Sequence, residues 1–174
     1  MSELTSINHE QRTQVVCETV RYIHLAGELL QRPFAEVQVL FNLKGLAAGM
    51  YRVNRLGRCI RYNPFIFARY FEQNFATTIP HEVAHYIIDQ VHGLRSVKPH
   101  GTEWRELMQM FDADTRRTAL FDLEGFPARV YRHFAYQCDC NIHQLTSRRH
   151  NRIVRGRARY HCRRCGSVLH KVND

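Results

Sequence analysis

Hydrophobic and polar positions recur along this chain with two different periods, and each period predicts a different element. Spacing of three to four over residues 8–31 predicts a helix that ends before Pro33. Alternation over residues 36–43 predicts a strand, and two more short strands are expected at 50–54 and 58–62, giving a three-stranded meander. The apolar positions assigned to the buried face of the first helix are Val16, Val20, Ile23 and Leu30.

The chain that follows these strands is predicted to be mostly helical. Asn63 before Pro64 favours a helix start, because the asparagine side chain can cap and proline suits the first helical position. Two helices are expected before Gly93, the second including residues 80–92 with Pro80 near its start. A loop then leads to a helix at 102–111. Together these elements predict an α+β domain over residues 1–125.

Charge divides the chain into two parts. The formal net charge is +9, yet residues 1–125 hold 14 basic and 14 acidic side chains. Residues 126–174 hold 11 basic and two acidic side chains, which indicates a separate basic domain too short to build an apolar core. No apolar run approaches the roughly 20 residues that span a bilayer, and the N-terminus is polar and acidic. We therefore expect a cytoplasmic protein without a membrane partner.

Residues 81–85 read His-Glu-Val-Ala-His on a predicted helix. His81 and His85 lie four positions apart and thus on one helical face, where both imidazoles can bind one Zn²⁺. Glu82 is placed to act as a general base toward a water that attacks a carbonyl. Composition alone would produce this motif about 0.04 times in such a chain, which disfavours two fortuitous core histidines.

A third metal ligand must come from outside this helix. His100 is the favoured candidate, because a loop after Gly93 can bring it back to the metal. Glu103 is the alternative and would give a site of two histidines and one glutamate.

Four of the six cysteines form two close pairs inside the basic domain. Two such pairs separated by a loop are typical of a zinc ribbon with four thiolate ligands. The first pair is separated by one residue only, so His143 is an alternative to Cys140, and a redox dithiol remains a rival interpretation. Cys17 and Cys59 stand alone and are expected to be buried. The paired cysteines are Cys138, Cys140, Cys162 and Cys165.

Arginines and aromatic residues are interleaved around these cysteine pairs. Arginine beside aromatic rings suits phosphate contacts together with base stacking on single strands. A solvated charged surface is the alternative, but the density of basic residues favours nucleic acid. The residues expected to bind it are Arg148, Arg149, Arg152 and Arg155, flanked by Tyr131, Phe134, Tyr136 and Tyr160.

These motifs together resemble the SprT family of zinc metalloproteases, relatives of the Spartan proteases that cleave proteins crosslinked to DNA. The resemblance rests on residues 81–85, 98–104, 136–152 and 160–166 and spans nearly the whole chain after about residue 12. It implies a zincin-like minimal metalloprotease domain with a C-terminal zinc ribbon. One catalytic Zn²⁺ would be held by His81, His85 and His100, with Glu82 as base, and one structural Zn²⁺ by the ribbon.

The leading hypothesis is a zinc-dependent endopeptidase that acts on DNA-associated or DNA-crosslinked proteins. Its basic ribbon would bind DNA, expected to be single-stranded, and bring protein substrates to the zinc. The alternative is a zinc-containing protein without catalytic activity, which binds nucleic acid or has a regulatory role. A metal-dependent nuclease ranks last, because nucleases use carboxylate-rich sites and residues 79–104 hold three acidic residues only.

Overall fold

The computed structural model describes residues 5–93, 96–116, 121–126 and 132–172. The chain divides into two compact units, Met1–Ala128 and Arg129–Asp174. The elements of the first unit are α1 (His9–Leu29), β1 (Gln38–Leu40), β2 (Gly49–Asn54), β3 (Gly57–Tyr62), α2 (Pro64–Arg69), α3 (Phe71–His92) and α4 (Thr102–Met110). Those of the second are β4 (His133–Gln137), β5 (Ile142–Thr146), α5 (Ser147–Val154) and β6 (His170–Lys171). Among the described residues, every helix is too short or too polar to cross a lipid bilayer.

The first sheet has three strands in the order β1–β3–β2, so the expected meander is wrong. β1 is parallel to β3, and β2 is antiparallel to β3 across a two-residue turn. The link between β1 and β2 runs along the end of β3, since the Leu43 N–H donates to the Tyr62 carbonyl and the Asn63 N–H to the Ala48 carbonyl. This route carries the chain past β3 and leaves β2 as an edge strand.

The buried face of α1 agrees only in part with the prediction: Ile23 is buried, at 1% exposed, but the remainder of the buried stripe differs. Val16 is 36% exposed, while Thr19 is fully buried. The Thr19 hydroxyl donates to the Val15 carbonyl (2.7 Å) and hydrogen-bonds the Tyr62 hydroxyl (3.1 Å), so its polarity is satisfied inside the core. A polar residue on the buried stripe therefore concealed the true periodicity. That stripe consists of Val15, Thr19, Tyr22, Ile23 and Ala26.

The two helices expected before Gly93 are present as α2 and α3, but Pro80 lies in the interior of α3 rather than near its start. Proline has no N–H, so the helix loses one hydrogen bond there. Ile79, Pro80 and Val83 are buried, and this apolar packing holds the helix through the break. Gly93 ends α3 with φ 86°, a value that glycine adopts without strain.

The two isolated cysteines differ in burial. Cys59 is 5% exposed, as predicted, whereas Cys17 is exposed and that prediction is wrong. Cys17 lies two positions after Val15 on α1, which places it off the buried stripe.

Asn63 ties the segment before β2 to the start of α2. Its side-chain oxygen accepts from the Phe65 and Ile66 N–H groups, and its amide nitrogen donates to the Gly45 carbonyl (2.9 Å). The residue is 2% exposed, so water does not replace these partners. One side chain therefore caps a helix and fixes the loop over residues 43–48.

The second unit contains a small core, contrary to the expectation from its length and polarity. Its sheet has the order β5–β4–β6. Ile153 of α5 packs against the buried residues of this sheet. A few apolar side chains are enough to form this core, because a cysteine cluster lies beside them. The buried residues are Tyr136, Leu145, Cys162 and Leu169.

Replacing Asn63 with Ala should lower the free energy of unfolding of the first unit by about 2 kcal/mol, because a helix cap and a buried amide donor are both lost. Asn63→Asp keeps the cap and should recover part of this loss. Urea unfolding can be followed by fluorescence of Trp104, the one tryptophan of the chain, which is 1% exposed within this unit. Equal stability of wild type and Asn63→Ala would contradict the assigned role.

Candidate functional site

Three histidine side chains of the first unit meet at one point. His81 and His85 project from adjacent turns of α3, and His100 arrives from the segment before α4. The Nε2 atoms are 3.2 Å apart for His81 and His85, 3.0 Å for His85 and His100, and 3.1 Å for His100 and His81. The structure thus brings together the three histidines that the sequence selected.

The backbone at His100 explains how this residue reaches the pair on α3. His100 adopts φ 57°, in the left-handed region that few residues other than glycine enter. The next N–H, that of Gly101, donates to the Lys98 carbonyl at 2.9 Å and closes a tight turn. A Cβ atom on Gly101 would lie 2.8 Å from that carbonyl oxygen, so the turn requires glycine. Glu103, the rival ligand, lies outside the three-histidine group.

Burial keeps the two imidazoles of α3 neutral. Burial, followed by the effect of the neighbouring imidazoles, lowers the pKa of His81 to about 4 and that of His85 to about 3. At neutral pH both rings therefore offer a nitrogen lone pair, the form in which histidine binds metals.

Trp104 forms a wall behind all three rings, and the sequence reasoning assigned it no role. Its ring centroid lies 4.8 Å from that of His81, 5.8 Å from that of His85 and 4.9 Å from that of His100. The indole Nε1–H also donates to the His81 carbonyl at 3.4 Å. The signal available in the sequence was a single tryptophan in the first turn of the helix after His100.

The three nitrogens fit a zinc ion. Nitrogen ligands at about 2.0–2.1 Å in a tetrahedral arrangement lie about 3.3 Å from one another, close to the separations found here. Three nitrogens that face one another cannot all be satisfied by mutual hydrogen bonds, whereas a cation at their centre accepts every lone pair. Within the described part of the chain the group has no fourth His, Cys, Asp or Glu.

Glu82 is buried beside this group and held by the edge strand. It is 7% exposed, and its Oε2 accepts the Tyr51 backbone N–H at 2.6 Å. Burial raises the pKa of the Glu82 carboxyl to about 7, although the Tyr51 N–H opposes the shift. A carboxyl with this pKa can both accept and return a proton near neutral pH.

Gly49 allows the edge strand to approach Glu82 so closely. A Cβ atom at this position would lie 2.6 Å from Cγ of Glu82 and 2.7 Å from Cγ2 of Thr78. Gly49 directly precedes the strand predicted at 50–54, but no local pattern indicates this contact, since it joins residues far apart along the chain.

A cavity of about 230 Å³ opens next to Glu82 and His81. The wall of this cavity is mainly apolar. Besides Glu82 and His81 it includes two charged residues, Asp114 and Arg116. These neutralise one another through a hydrogen bond of 2.6 Å from Arg116 Nε to Asp114 Oδ2. An uncharged side chain therefore suits the cavity best. Its further lining residues include Leu46, Ala47, Ala48, Thr77, Phe121 and Leu123.

The second unit brings four sulfur atoms together. The ligand atoms of this group all lie within 4.8 Å of one another, with Cys138 and Cys140 Sγ 3.5 Å apart and Cys140 and Cys162 Sγ 3.7 Å apart. His143 lies beside the group with Nε2 3.2 Å from Cys138 Sγ, where it can hydrogen-bond that sulfur. The group consists of Cys138, Cys140, Cys162 and Cys165.

Hydrogen bonds around the second cysteine pair favour thiolates, the form that binds zinc. Hydrogen bonds with Ser167 lower the pKa of the Cys165 thiol to about 6. The backbone N–H groups of Cys165 and Arg164 lower the pKa of Cys162, and the Arg164 N–H lies 3.4 Å from Cys162 Sγ. Four thiols in this setting match a closed tetrahedral zinc site.

The arginines selected from the sequence lie on or at the end of α5, and all are exposed. His150 anchors this helix to the sheet: its ring stacks on Phe134 with centroids 3.6 Å apart, and its Nδ1 lies 3.1 Å from the Tyr136 hydroxyl. The inner face of α5 is thereby packed, and its outer face presents guanidinium groups. The exposed arginines are Arg148, Arg149, Arg152 and Arg155.

The flanking aromatics differ from what was expected. Tyr136 is 1% exposed and belongs to the core of the second unit, so it is not available to stack on a base. Phe134 is occupied by His150, and Tyr160 lies under the Arg149 guanidinium with 5.7 Å from Cζ to the ring centroid. Tyr131 lies outside the described residues. The exposed arginines are thus better placed to contact phosphates than these aromatic rings are to stack on bases.

Comparisons with known proteins agree with this division into two units. The SprT-like family model matches residues 19–132, and the SprT-like zinc ribbon domain model matches residues 132–173. No solved structure gives a significant match.

Relatives resemble the chain over most of its length. Protein SprT of Klebsiella pneumoniae subsp. pneumoniae is 36% identical over 158 residues, covering 90% of this chain and 91% of that protein. Protein SprT of Serratia proteamaculans is 34% identical over 148 residues, 84% and 83% of the two chains. Protein SprT of Vibrio parahaemolyticus is 36% identical over 150 residues, 84% and 86%. With its four-cysteine ribbon and a family match over most of its length, this chain belongs to the SprT-like family.

Proposed function

We propose that this chain is a zinc-dependent endopeptidase that cleaves proteins associated with or crosslinked to DNA. The observation that carries the proposal is the buried Glu82 carboxyl beside the three converging imidazoles of His81, His85 and His100. A site for a structural ion alone needs no buried carboxyl beside its ligands. Helix α3, which carries two of the proposed ligands, lies beneath the edge strand β2. This arrangement also supports the zincin-like architecture that the resemblance implies.

The proposed ligands of the catalytic ion are the three histidine Nε2 atoms. Bound there, Zn²⁺ supplies Lewis-acid chemistry, lowering the pKa of water and polarising a carbonyl. Glu82 takes a proton from water as the water oxygen bonds to the peptide carbonyl carbon. When the carbon–nitrogen bond breaks, Glu82 returns that proton to the leaving amine, so the carboxylate is regenerated.

The cavity beside Glu82 supports a peptide substrate. Because Glu82 and His81 form part of its wall, a side chain placed in it belongs to a residue close to the bond that is cut. The paired charges of Asp114 and Arg116 disfavour a charged side chain there, whereas an aliphatic or aromatic one gains from leaving water. The cavity is small enough to accept one side chain rather than a folded domain.

The exposed arginines of α5 support a nucleic-acid partner. They lie on a helix held in place by His150, so their side chains project from a fixed support rather than a mobile loop. Guanidinium groups bind phosphate without regard to sequence, which suits a protein that must act wherever its substrate sits on DNA. We propose single-stranded DNA as the partner, with Tyr160 as the ring best placed near the arginines.

The purified chain should contain two zinc ions, measured by mass spectrometry of the metal content. His85→Ala should remove one ion and Cys162→Ser the other, since each cluster lies within its own unit. Loss of both ions from either single variant would contradict two independent sites. A wild-type content of one ion would show that only one cluster holds metal.

Replacing Glu82 with Gln should lower the cleavage rate by at least about a hundredfold, because the general base is lost while the side-chain shape is kept. The test uses a single-stranded-DNA-binding protein as substrate, with and without single-stranded DNA, and follows the fragments by electrophoresis. The Glu82→Gln variant should keep both zinc ions, so metal content serves as the control. Equal cleavage by the two proteins would refute the catalytic proposal and leave the non-catalytic binding alternative.

Replacing Arg148, Arg149 and Arg152 with Ala should weaken DNA binding and flatten its salt dependence. For single strands log K falls with log salt by about 0.7 per phosphate contact, so the slope should fall by about 2. Fluorescence anisotropy of a labelled oligonucleotide at several salt concentrations measures this slope.

A matched control removes the same charge from the first unit. Arg52, Arg55 and Arg105 are exposed there, and changing all three to Ala should leave the slope unchanged. Equal slopes for the two triple variants would mean that α5 does not contact the phosphates.

A further inference from the structure

A hydrogen-bonded network joins the edge strand to α3 two helical turns beyond Glu82. The Asp89 side chain is 3% exposed, and its Oδ2 accepts from the Tyr51 hydroxyl at 2.6 Å and from Arg58 Nε at 2.7 Å. The same Tyr51 donates its backbone N–H to Glu82 Oε2 at 2.6 Å. One residue of β2 is therefore attached to α3 at two points, by its main chain at Glu82 and by its side chain at Asp89.

The charges of this network are balanced. Asp89 is buried, and the Arg58 guanidinium from β3 supplies the opposite charge. Burial, followed by the hydrogen bond to Asp89, raises the pKa of the Tyr51 phenol, so the hydroxyl stays protonated and donates. The Tyr51 ring also packs against Tyr86, with centroids 5.9 Å apart. Strand β2 is thus fixed laterally by a hydrogen-bonded set of polar groups.

The position of β2 matters because the strand touches the proposed base. The backbone of Gly49 lies so near Glu82 that even a methyl group would collide with its Cγ. A shift of β2 toward α3 would push the carboxyl, and a shift away would release Oε2 from the Tyr51 N–H. The fixed separation of strand and helix therefore sets where the free oxygen of Glu82 points.

We infer that Tyr51, Asp89 and Arg58 form a clamp that positions Glu82 for proton transfer. They are positioning residues, since the described lining of the cavity beside Glu82 includes none of them. The kinetic consequence of this inference rests on the proposed function. Its structural part does not depend on that function: the clamp holds the Tyr51 N–H on Glu82. A purely structural ion pair would stabilise the first unit without affecting that contact.

The kinetic test uses the full zinc-loaded chain. Tyr51→Phe removes the hydroxyl that Asp89 binds, and kcat should fall about tenfold while KM stays within about twofold, because misplacement of a catalytic group affects the reacting step. Tyr22→Phe is the matched control. It removes a hydroxyl of α1 from a ring that packs against Phe111, with centroids 5.1 Å apart, and should leave kcat unchanged.

A double variant tests whether the clamp acts through Glu82. In the Glu82→Gln background, Tyr51→Phe should lower the residual rate by less than twofold, since the base it positions is already lost. Additive losses in the double variant would show that Tyr51 acts by another route, and would overturn the inference.

A measurement independent of activity completes the test. The amide hydrogen of residue 51 should exchange with solvent at least about tenfold faster in Tyr51→Phe and Asp89→Asn than in wild type, and Tyr22→Phe should leave it unchanged. Unchanged exchange in the first two variants would overturn the clamp, whatever the enzyme assays show. If wild type cleaves no protein but the exchange rates change as expected, the proposed function fails and the clamp stands.

Discussion

The structure of the first unit depends on three imidazole nitrogens held about 3 Å apart in a setting that disfavours positive charge on them. Such a group is unfavourable by itself, because lone pairs converge on rings that are partly withdrawn from water. The surrounding chain imposes it: α3 supplies two rings, the strained backbone at His100 supplies the third, and Trp104 closes the back. A cation bound at the proposed site would convert this repulsion into coordination and would couple metal binding to folding of the unit.

Local signals in the sequence predicted much of this arrangement. The four-residue spacing of His81 and His85 places both rings on one helical face, and the glycine after α3 marks where the helix ends. Two cysteine pairs selected the four sulfurs that cluster in the second unit. The excess of basic over acidic residues in 126–174 indicated where the exposed arginines lie. These features depend on neighbours in sequence, which periodicity and spacing capture.

Features that depend on long-range pairing were missed or wrong. The strand order follows from how the segment after β1 runs along β3, and no spacing along the chain encodes that route. Thr19 was not among the positions selected on the first helix, and its partner, Tyr62, lies 43 residues away. Tyr51 and Gly49 gain their roles only through contact with Glu82 across the sheet–helix interface. Sequence reasoning thus found the groups that carry the proposed chemistry, but not those that orient them.

The proline inside α3 lies within the stretch of that helix that lines the cavity. Thr77 and Thr78 precede Pro80, and His81 and Glu82 follow it. A helix with one hydrogen bond missing bends most easily at that point. Because the described wall of the cavity draws on residues from both sides of this proline, a change of helix direction at Pro80 would alter the shape of the cavity and the position of the imidazole rings together.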